Sequence, residues 1–415
     1  MGMSNGSVAG PGLVVVGASL AGLRAVESAR RAGYEGPVTL IGAEPHLPYD
    51  RPPLSKQFLT ADPEPAYYTT EEALTGELGV ELRLDCRASS LDPPARQVRT
   101  TTGPVAYGRL IVATGAEPRV LANVRPLEGV WTLRTLDDAV ALRVALRSAR
   151  KVVVVGAGFI GSEIASSAHS RGAEVTLVEA APVPLVRAVG EVVGESLSRL
   201  HTRNGTRLIC GVHVERMVGN EHVEAVRLSS GETLTADVVV VGVGAAPATS
   251  WLGGSGIQLD PRDGGIICDA YLETSLPDVY AAGDVVHWPN ALLDDTVRLE
   301  NWTNAADQGA RAAVNALFPD RRRPHETVPY FWSDWYGHRI QFAGTAMADS
   351  VTFASGGPDE DRFVALYRRG ARLVGAATLN EPRKIMKYRR YIAGRGTWAE
   401  AHKVLVARTP VPATD

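Results

Sequence analysis

The chain has 415 residues, 45% of them hydrophobic and 21% charged, which predicts a globular protein of two or three domains. A formal net charge of −3 and a pI near 6.3 give no general attraction to nucleic acid or to an anionic membrane. No apolar run approaches the roughly 18 residues of a membrane-spanning helix. The N-terminus has no basic segment before its first apolar run, so we expect no signal peptide and a cytoplasmic location.

The first predicted unit is a strand, a glycine turn and an amphipathic helix in LVVVGASLAGLRAVESARRAG, residues 13–33. Glycine lets a backbone approach a pyrophosphate, and a helix N-terminus offers free N–H groups and a positive dipole end. The turn, GASLAG, has Ser19 where a second glycine is usual. A second strand, VTLIGAE, runs to Glu44. A tight strand-to-helix turn without a ligand is the alternative interpretation.

A stiff loop follows in PYDRPPLSK, residues 48–56. Two prolines fix the backbone between Arg51 and Lys56, which favours a loop that presents side chains over a solvated linker. In isolation, a surface lysine after a proline turn would be the better explanation of Lys56.

The first unit is repeated in KVVVVGAGFIGSEIASSAHSRG, residues 151–172. Its turn, GAGFIG, follows a strand and opens a helix, and Glu179 lies about 20 residues on, the spacing at which an acid reaches an adenosine ribose. The chain is therefore expected to contain two dinucleotide-binding modules. A 2′-phosphate would meet like charge at Glu179, and the following AAPVP has no arginine, so the sequence favours NADH over NADPH.

The three cysteines, Cys86, Cys210 and Cys268, are far apart and form no Cys-x-x-Cys pair. This excludes a disulfide framework and a dithiol redox centre, and no His/Cys cluster has zinc spacing. We expect three small buried side chains and no metal.

Six motifs together resemble one family: PYDRPPLSK, GAGFIGSE, LIVATGA, VYAAGDV, ENWTNAADQG and YFWSDWYG. Nearly the whole chain is similar to the FAD-dependent NADH:ferredoxin reductases that serve cytochromes P450 and ring-hydroxylating dioxygenases, the putidaredoxin-reductase-like group. Trp335 stands where a glutamine is more familiar in that group.

The resemblance implies an α/β fold of glutathione-reductase-like architecture, with two Rossmann-like dinucleotide-binding domains and a C-terminal α+β domain. The implied domains are a discontinuous FAD-binding domain at 1–116 and 243–322, an NAD-binding domain at 117–242 and a C-terminal domain at 323–415.

The resemblance also implies roles for single residues. Lys56 and Glu163 would form the catalytic pair near the nicotinamide, where a fixed ammonium favours the charge gained on reduction. Glu163 follows Gly161 closely, which predicts a place in the first helical turn, where an acid suits the dipole. Trp302 would border the flavin, and an aromatic core anchor is its alternative. The expected FAD contacts are Gly17, Ser19, Ala21, Gly22, Glu44, Arg51, Lys56, Thr114, Gly115, Arg134, Gly283, Asp284 and Trp302; those for NAD are Gly156, Gly158, Gly161, Glu163 and Glu179.

The implied partner is an acidic iron–sulfur ferredoxin, of the two-iron, two-sulfur or a similar type, that feeds a P450 or dioxygenase. Residues 362–395 contain ten Lys/Arg and one acid, and such a basic segment can steer an acidic protein. A solvated helix face is the alternative. The candidate docking residues are Arg383, Lys384, Lys387, Arg389 and Arg390.

Two other functions stay open. An NADH oxidase or coenzyme A disulfide reductase would need a reactive cysteine, and none of the three lies in a flavin motif. A flavoprotein similar to apoptosis-inducing factor would act through binding, which the overall acidity and the lack of long basic tracts disfavour.

Overall fold

The computed structural model describes residues 11–121 and 127–401. Its helices are α1 (Leu20–Arg31), α2 (Gln57–Thr60), α3 (Leu136–Leu146), α4 (Phe159–Ser170), α5 (Val186–Val189), α6 (Glu191–Arg203), α7 (Trp302–Leu317) and α8 (Pro382–Ala393). None of the helices in these two ranges has the length and apolar character needed to cross a bilayer.

The strands are β1 (Leu13–Val16), β2 (Val38–Ile41), β3 (Val80–Arg83), β4 (Ala88–Asp92), β5 (Gln97–Thr100), β6 (Gly103–Ala106), β7 (Arg109–Val112), β8 (Ala116–Pro118), β9 (Val130–Trp131), β10 (Lys151–Val155), β11 (Glu174–Glu179), β12 (Arg207–Cys210), β13 (Val214–Val218), β14 (Ala225–Leu228), β15 (Thr233–Thr235), β16 (Val238–Val241), β17 (Ala245–Pro247), β18 (Ile266–Ile267), β19 (Val279–Ala281), β20 (Val286–Asn290), β21 (Asp295–Arg298), β22 (Tyr330–Trp335), β23 (His338–Gly344), β24 (Ser350–Ser355), β25 (Phe363–Arg369) and β26 (Arg372–Leu379).

The chain divides into two compact units, each discontinuous in sequence. Within the described residues, unit 1 comprises 11–50, 65–117 and 246–327, and unit 2 comprises 51–64, 118–121, 127–245 and 328–401. The proline loop, residues 51–64, therefore belongs to unit 2, although unit 1 flanks it in the sequence. The C-terminal sheet belongs to unit 2 as well.

Unit 1 is built on a parallel sheet with strand order β19-β7-β1-β2-β3. Strands β1 and β2 are buried throughout, as expected for the continuous apolar runs of a parallel sheet covered on both faces. Helices α1 and α7 pack together. A Cβ on Gly309 of α7 would lie 2.0 Å from the carbonyl oxygen of Ala21, so this close approach of the two helices requires glycine.

Unit 2 contains a second parallel sheet, with strand order β12-β11-β10-β16-β9. It also contains an antiparallel sheet, β22-β23-β26-β25-β24. Helix α8 covers this sheet on β23 and β26 and buries Ile385, Tyr388 and Ile392, which recur at helical spacing. The predicted fold class, two Rossmann-like modules with a C-terminal α+β domain, is confirmed.

Candidate functional site

The first glycine turn joins β1 to α1 in unit 1. Gly17 has φ +119°, and a Cβ there would lie 2.1 Å from the carbonyl oxygen of Ala113. A Cβ on Gly22 would lie 1.9 Å from the Gly17 carbonyl, so both positions exclude a side chain. Ser19 is the N-cap residue of α1, and Ala21 is buried in the first turn. The turn therefore brings backbone close to the start of α1, as the nucleotide-binding prediction requires.

Two further predicted FAD residues, Gly283 and Asp284, follow β19. The Gly283 N–H donates to Oε1 of Gln308 at 2.8 Å, and Nη1 of Arg298 donates to the Asp284 carbonyl at 2.9 Å. Gln308 is fully buried, and its Nε2 has no hydrogen-bond partner within the described part of the chain. A buried donor without a partner is costly, so this amide beside Gly283 is suited to a ligand. No sequence motif pointed to Gln308.

Trp302 is the first residue of α7. Its Nε1 donates to Oδ1 of Asp50 at 3.0 Å and to the hydroxyl oxygen of Tyr68 at 2.7 Å. The Tyr68 hydroxyl donates to the same Asp50 oxygen at 2.5 Å, and burial together with this acceptor raises the Tyr68 pKa well above its usual value. Two polar residues that the sequence did not single out therefore fix the indole.

The other FAD candidates of unit 1 have protein partners. Oε2 of Glu44, beyond the end of β2, accepts from the Tyr49 hydroxyl at 2.5 Å. The Thr114 hydroxyl donates to the Ala248 carbonyl at 2.8 Å, and the Gly115 carbonyl accepts from the Ala248 N–H at 2.9 Å. Thr114 and Gly115 therefore hold two segments of unit 1 together.

The second glycine turn joins β10 to α4 in unit 2. Gly156 has φ +100°, and a Cβ on Gly161 would lie 1.9 Å from the Gly156 carbonyl. Gly158 is the N-cap residue of α4, and a Cβ there would meet no atom within 4 Å in the described residues. The space at Gly158 and the N–H groups of α4 suit a pyrophosphate.

Glu179 is the last residue of β11, and its carboxylate lies at this glycine turn. Oε2 accepts from the Ala157 N–H and Oε1 from the Ala181 N–H, each at 2.8 Å. Each carboxylate oxygen accepts more than one hydrogen bond, so Glu179 retains capacity for ribose hydroxyls while it orders the turn.

Glu163 lies at the centre of a buried polar cluster in unit 2. It is the fifth residue of α4, and the first turn of this helix has no acid, so the predicted first-turn position was wrong and the helix dipole does not explain it. Its side chain is 2% exposed. Oε1 lies 2.9 Å from Nζ of Lys56, and the hydroxyls of Ser55 and Ser333 donate to Oε2 and Oε1. In the described part of the chain, Lys56, Ser55 and Ser333 all direct donors at the two Glu163 oxygens.

Lys56 is held by the proline loop. Pro52–Ser55 form a 3₁₀ turn with proline at its start, and Lys56 is its C-cap residue. Nζ also donates to the Pro52 carbonyl at 3.0 Å, and the side chain is 15% exposed. An ammonium has three N–H donors, so the third has no partner within the described residues.

Arg51 and Arg134, both predicted to contact FAD, meet each other in unit 2. Nη1 of Arg51 donates to the Arg134 carbonyl at 2.7 Å. The Arg134 N–H donates to Oδ2 of Asp138 at 3.0 Å, within the capping box that begins α3. This contact, together with packing of α2 against α3 and α4, fixes the loop within unit 2.

Some of the predicted docking residues on α8 are held by contacts within the protein, and others are exposed. Lys384 pairs with Glu381 at 3.0 Å. Nε of Arg389 donates to the Val328 carbonyl at 3.2 Å, and its guanidinium lies 5.5 Å from the ring centroid of Tyr330. The exposed members of the set are Arg383, Lys387 and Arg390.

The cysteines are poor nucleophiles. Cys86 and Cys268 are buried and Cys210 is half-buried. Burial raises the pKa of the Cys268 thiol, and burial together with Glu179 raises that of Cys210. A thiolate is the reactive form of cysteine, so the surroundings of these two residues suppress it.

Within residues 11–121 and 127–401, one group of potential metal ligands is found, and it lies in unit 1. Atoms of Asp260, Asp263 and His287 lie within 4.8 Å of one another. Arg262 approaches Asp260 at 2.7 Å, and Arg298 approaches Asp263 at 2.7 Å. Both carboxylates are therefore already neutralised, which disfavours a cation.

Comparison with known proteins gives a consistent result. The model of the pyridine nucleotide-disulphide oxidoreductase family matches residues 11–309, and a reductase C-terminal model matches residues 330–408. The chain is 34% identical to rhodocoxin reductase of Rhodococcus erythropolis, over 92% of this chain and 89% of that protein. It is 36% identical to the biphenyl dioxygenase system ferredoxin–NAD(+) reductase component of Paraburkholderia xenovorans, over 92% and 93%.

A third relative has a different name. Human apoptosis-inducing factor 3 is 35% identical over 89% of this chain and 60% of that protein. Among solved structures, the covalent putidaredoxin reductase–putidaredoxin complex matches with a TM-score of 0.89 and 29% identity, covering 96% of this chain and 99% of that one. These findings confirm the predicted family, an oxidoreductase, and the use of FAD and NAD(H).

Proposed function

Because the chain belongs to the pyridine nucleotide-disulphide oxidoreductase family, we propose that it is an NADH-dependent ferredoxin reductase that passes electrons through FAD to an iron–sulfur ferredoxin. The observation that carries the proposal is the buried Lys56–Glu163 pair in a chain whose cysteines lack reactive surroundings. Because the chain has no dithiol to receive them, the electrons of the reduced flavin would pass directly to an external acceptor. When bound, FAD supplies the conversion of a two-electron hydride donor into single-electron transfer.

The residues of unit 1 that we propose to hold FAD surround the Gly17 turn, the Gly283 motif and the start of α7 at Trp302. The unpartnered Nε2 of Gln308 offers a buried donor at this motif. Because neither Gly17 nor Gly22 has room for a side chain, backbone N–H groups and not side chains would face a phosphate at this turn. These features fit the predicted FAD contacts of unit 1.

The residues of unit 2 that we propose to hold NADH are the glycine turn and Glu179. The turn offers the open space at Gly158, and the Glu179 carboxylate would accept from unmodified ribose hydroxyls and repel a 2′-phosphate. Lys56 offers its free N–H and its positive charge, which stabilises negative charge that develops on reduction. Glu163 holds this ammonium in place.

The acceptor is proposed from charge and from the relatives. Two of them carry ferredoxin–NAD(+) or redoxin reductase names, and the exposed bases on α8 suit an acidic ferredoxin. We propose that the ferredoxin in turn supplies a cytochrome P450 or a dioxygenase, and that the protein works in the cytoplasm.

A second candidate function rests on the relative named apoptosis-inducing factor 3. In this case the flavoprotein would act by binding a partner. The two candidates differ in one measurement, because only a reductase would transfer electrons to a ferredoxin at a rate that depends on ferredoxin concentration.

The test is steady-state oxidation of NADH by the purified yellow protein with a panel of two-iron, two-sulfur ferredoxins, compared with ferricyanide and with oxygen alone. We expect saturable ferredoxin reduction well above the oxygen background. Should no ferredoxin accelerate turnover, while ferricyanide does, the partner would be wrong and only flavin-dependent NADH oxidation would remain. Retention on DNA at physiological salt would favour the binding function.

A further inference from the structure

A chain of buried polar side chains leads away from Glu163 into the C-terminal sheet of unit 2. Ser333 is fully buried on β22, and its hydroxyl donates to Oε1 of Glu163. Nε1 of Trp335 donates to the Ser333 oxygen at 2.7 Å. The Trp335 ring stacks on His201 with centroids 5.2 Å apart and planes 24° apart. The Trp335 side chain therefore faces the interior of unit 2, and the residue is 1% exposed.

The chemistry of these groups fixes the direction of the hydrogen bonds. An indole N–H only donates, so the Ser333 oxygen must accept from it. A hydroxyl has one proton, and the other neighbour of Ser333 is the carboxylate, which only accepts when ionised. The proton of Ser333 is therefore directed at Glu163, and the indole removes the alternative in which Ser333 rotates away.

The orientation of the Trp335 ring is fixed by the His201 ring stacked on it. His201 is fully buried, and burial lowers its pKa to about 4, so its imidazole is neutral near pH 7. Nδ1 lies 3.0 Å from the hydroxyl of Tyr336, and Nε2 lies 3.2 Å from that of Ser162. A neutral ring with both nitrogens partnered and a stacked neighbour has one orientation, which in turn orients the indole.

Ser55 completes the arrangement from the proline loop. Its hydroxyl donates to Oε2 of Glu163, and its carbonyl accepts from the hydroxyl of Ser167 on α4 at 2.8 Å. Each carboxylate oxygen thus receives a hydroxyl proton, and Oε1 also receives Lys56. With both oxygens fixed, the carboxylate cannot rotate to release the ammonium.

We propose that Ser333, oriented by Trp335, is a positioning residue that locks the Glu163 carboxylate and thereby the ammonium of Lys56. The inference rests on the proposed function, since it assumes that Lys56 acts during reduction by NADH. It assigns a role to the tryptophan that replaces the more familiar glutamine at this position. Trp335 acts through Ser333 and needs no contact with a cofactor.

The first test measures Lys56 itself in the resting holoprotein, without NADH or any acceptor. Acetylation by a soluble active ester, followed by peptide mass spectrometry, gives the labelling rate of Lys56 relative to the exposed Lys151. Loss of one hydrogen bond to a charged group changes an equilibrium constant by about tenfold or more. We therefore expect Ser333→Ala to raise the acetylation rate of Lys56 about tenfold. Ser198→Ala is the matched control, because Ser198 is also buried in unit 2 but its hydroxyl, among the described residues, donates only to the Gly194 carbonyl of its own helix.

The second test is a double-mutant cycle on the rate of flavin reduction by NADH in stopped flow, with no ferredoxin present. Ser333→Ala should slow the reduction about tenfold with little change in the NADH concentration at half saturation. In a Glu163→Gln background, the same change should have almost no further effect, because a positioning residue acts only through its target. Trp335→Phe keeps an aromatic ring and removes the donor, and it should raise the Lys56 labelling rate and slow flavin reduction by about threefold each.

The outcomes separate this inference from the proposed function. Additive effects of Ser333→Ala and Glu163→Gln, or Lys56 labelling within twofold of the wild type, would overturn the inference. Recovery of slow labelling in Ser333→Thr, which keeps the hydroxyl, would support it even if Ser333→Ala proved unstable. Failure to reduce any ferredoxin would refute the proposed partner and leave both readouts unchanged.

Discussion

Nζ of Lys56 lies 2.9 Å from Oε1 of Glu163, so a lysine on the proline loop holds a carboxylate on α4 that is 2% exposed. Lys56→Met should retain FAD and the fold, because the prolines shape the 3₁₀ turn and two hydroxyls still satisfy Glu163. Loss of this charge contact, about 1.5 to 3 kcal/mol, should slow reduction by NADH about tenfold to a hundredfold and lower the flavin potential.

Stopped-flow absorbance at the flavin band and a redox titration measure the two effects. Lys151→Met is the control, since Lys151 is an exposed lysine of the same unit whose ammonium donates to the Thr235 hydroxyl. Reduction kinetics of Lys56→Met that equal those of the control would show that Lys56 is an ordinary loop lysine.

The Glu179 carboxylate supports a prediction about nucleotide choice. We expect NADH to bleach the flavin at lower concentrations than NADPH, and Glu179→Ala to lose most of this discrimination while FAD stays bound. The same change removes the acceptor of the Ala157 N–H, so the KM for NADH should rise as well. Glu174→Ala, at the exposed start of β11, is the control. Equal use of NADH and NADPH by the wild type would contradict the assignment.

The glycine turns could be predicted because their constraints are local in sequence. Gly17 and Gly156 each need a positive φ directly after a buried strand, and a strand, a glycine turn and a helix occupy one short stretch. The position of Glu179 could also be predicted, since it ends the second strand of its module. Short-range geometry alone dictates these residue types.

The surroundings of Glu163 could not be predicted, because its partners come from distant parts of the chain. Ser333 reaches it only after β22 has packed against α4, and Ser55 only because the proline loop belongs to unit 2. The sequence offered one signal, a serine two positions before a tryptophan, the spacing that places both on one face of a strand. The same reasoning explains why the Asp50 and Tyr68 contacts of Trp302 were missed.

His201 predicts a specific pH dependence of stability in unit 2. Its pKa is about 4 in the folded protein, below the ordinary value of 6.5, because burial disfavours the charged ring. Below pH 6.5 the unfolded chain binds a proton that the folded protein does not, so the free energy of unfolding falls as pH decreases towards 4 and is unaffected above 6.5. At pH 5 the loss is about 2 kcal/mol.

Urea unfolding at pH 7 and pH 5 measures this loss. His201→Phe keeps a ring against Trp335 and should be less stable at pH 7, but it should lose less stability between the two pH values. His213→Gln, at an exposed position, should retain the full difference. His325 in unit 1 has a similarly lowered pKa, so part of the dependence should persist in every variant. An unchanged difference in His201→Phe would refute the assignment.

The exposed bases of α8 give the prediction about the partner. The five docking candidates named from the sequence include Arg389, but Arg389 contacts the Val328 carbonyl and the Tyr330 ring, so its reversal would disturb the fold of the C-terminal sheet. Arg383, Lys387 and Arg390 are exposed, and their combined change to glutamate should raise the KM for ferredoxin at least tenfold at low salt, since charge pairs across an interface speed association and resist dissociation.

Ferricyanide reduction by NADH should stay near the wild-type rate in this triple variant, because a small ion needs no docking surface. The difference in ferredoxin KM should shrink as salt rises, since charges more than about 10 Å apart are screened at 0.1 M ionic strength. Arg216→Glu is the control, because it reverses a charge at an exposed position on β13 and not on α8. It should leave the KM for ferredoxin unchanged. Normal ferredoxin reduction by the triple variant at low salt would move the docking surface away from α8, and the loop around the proline pair would be the next place to reverse charge.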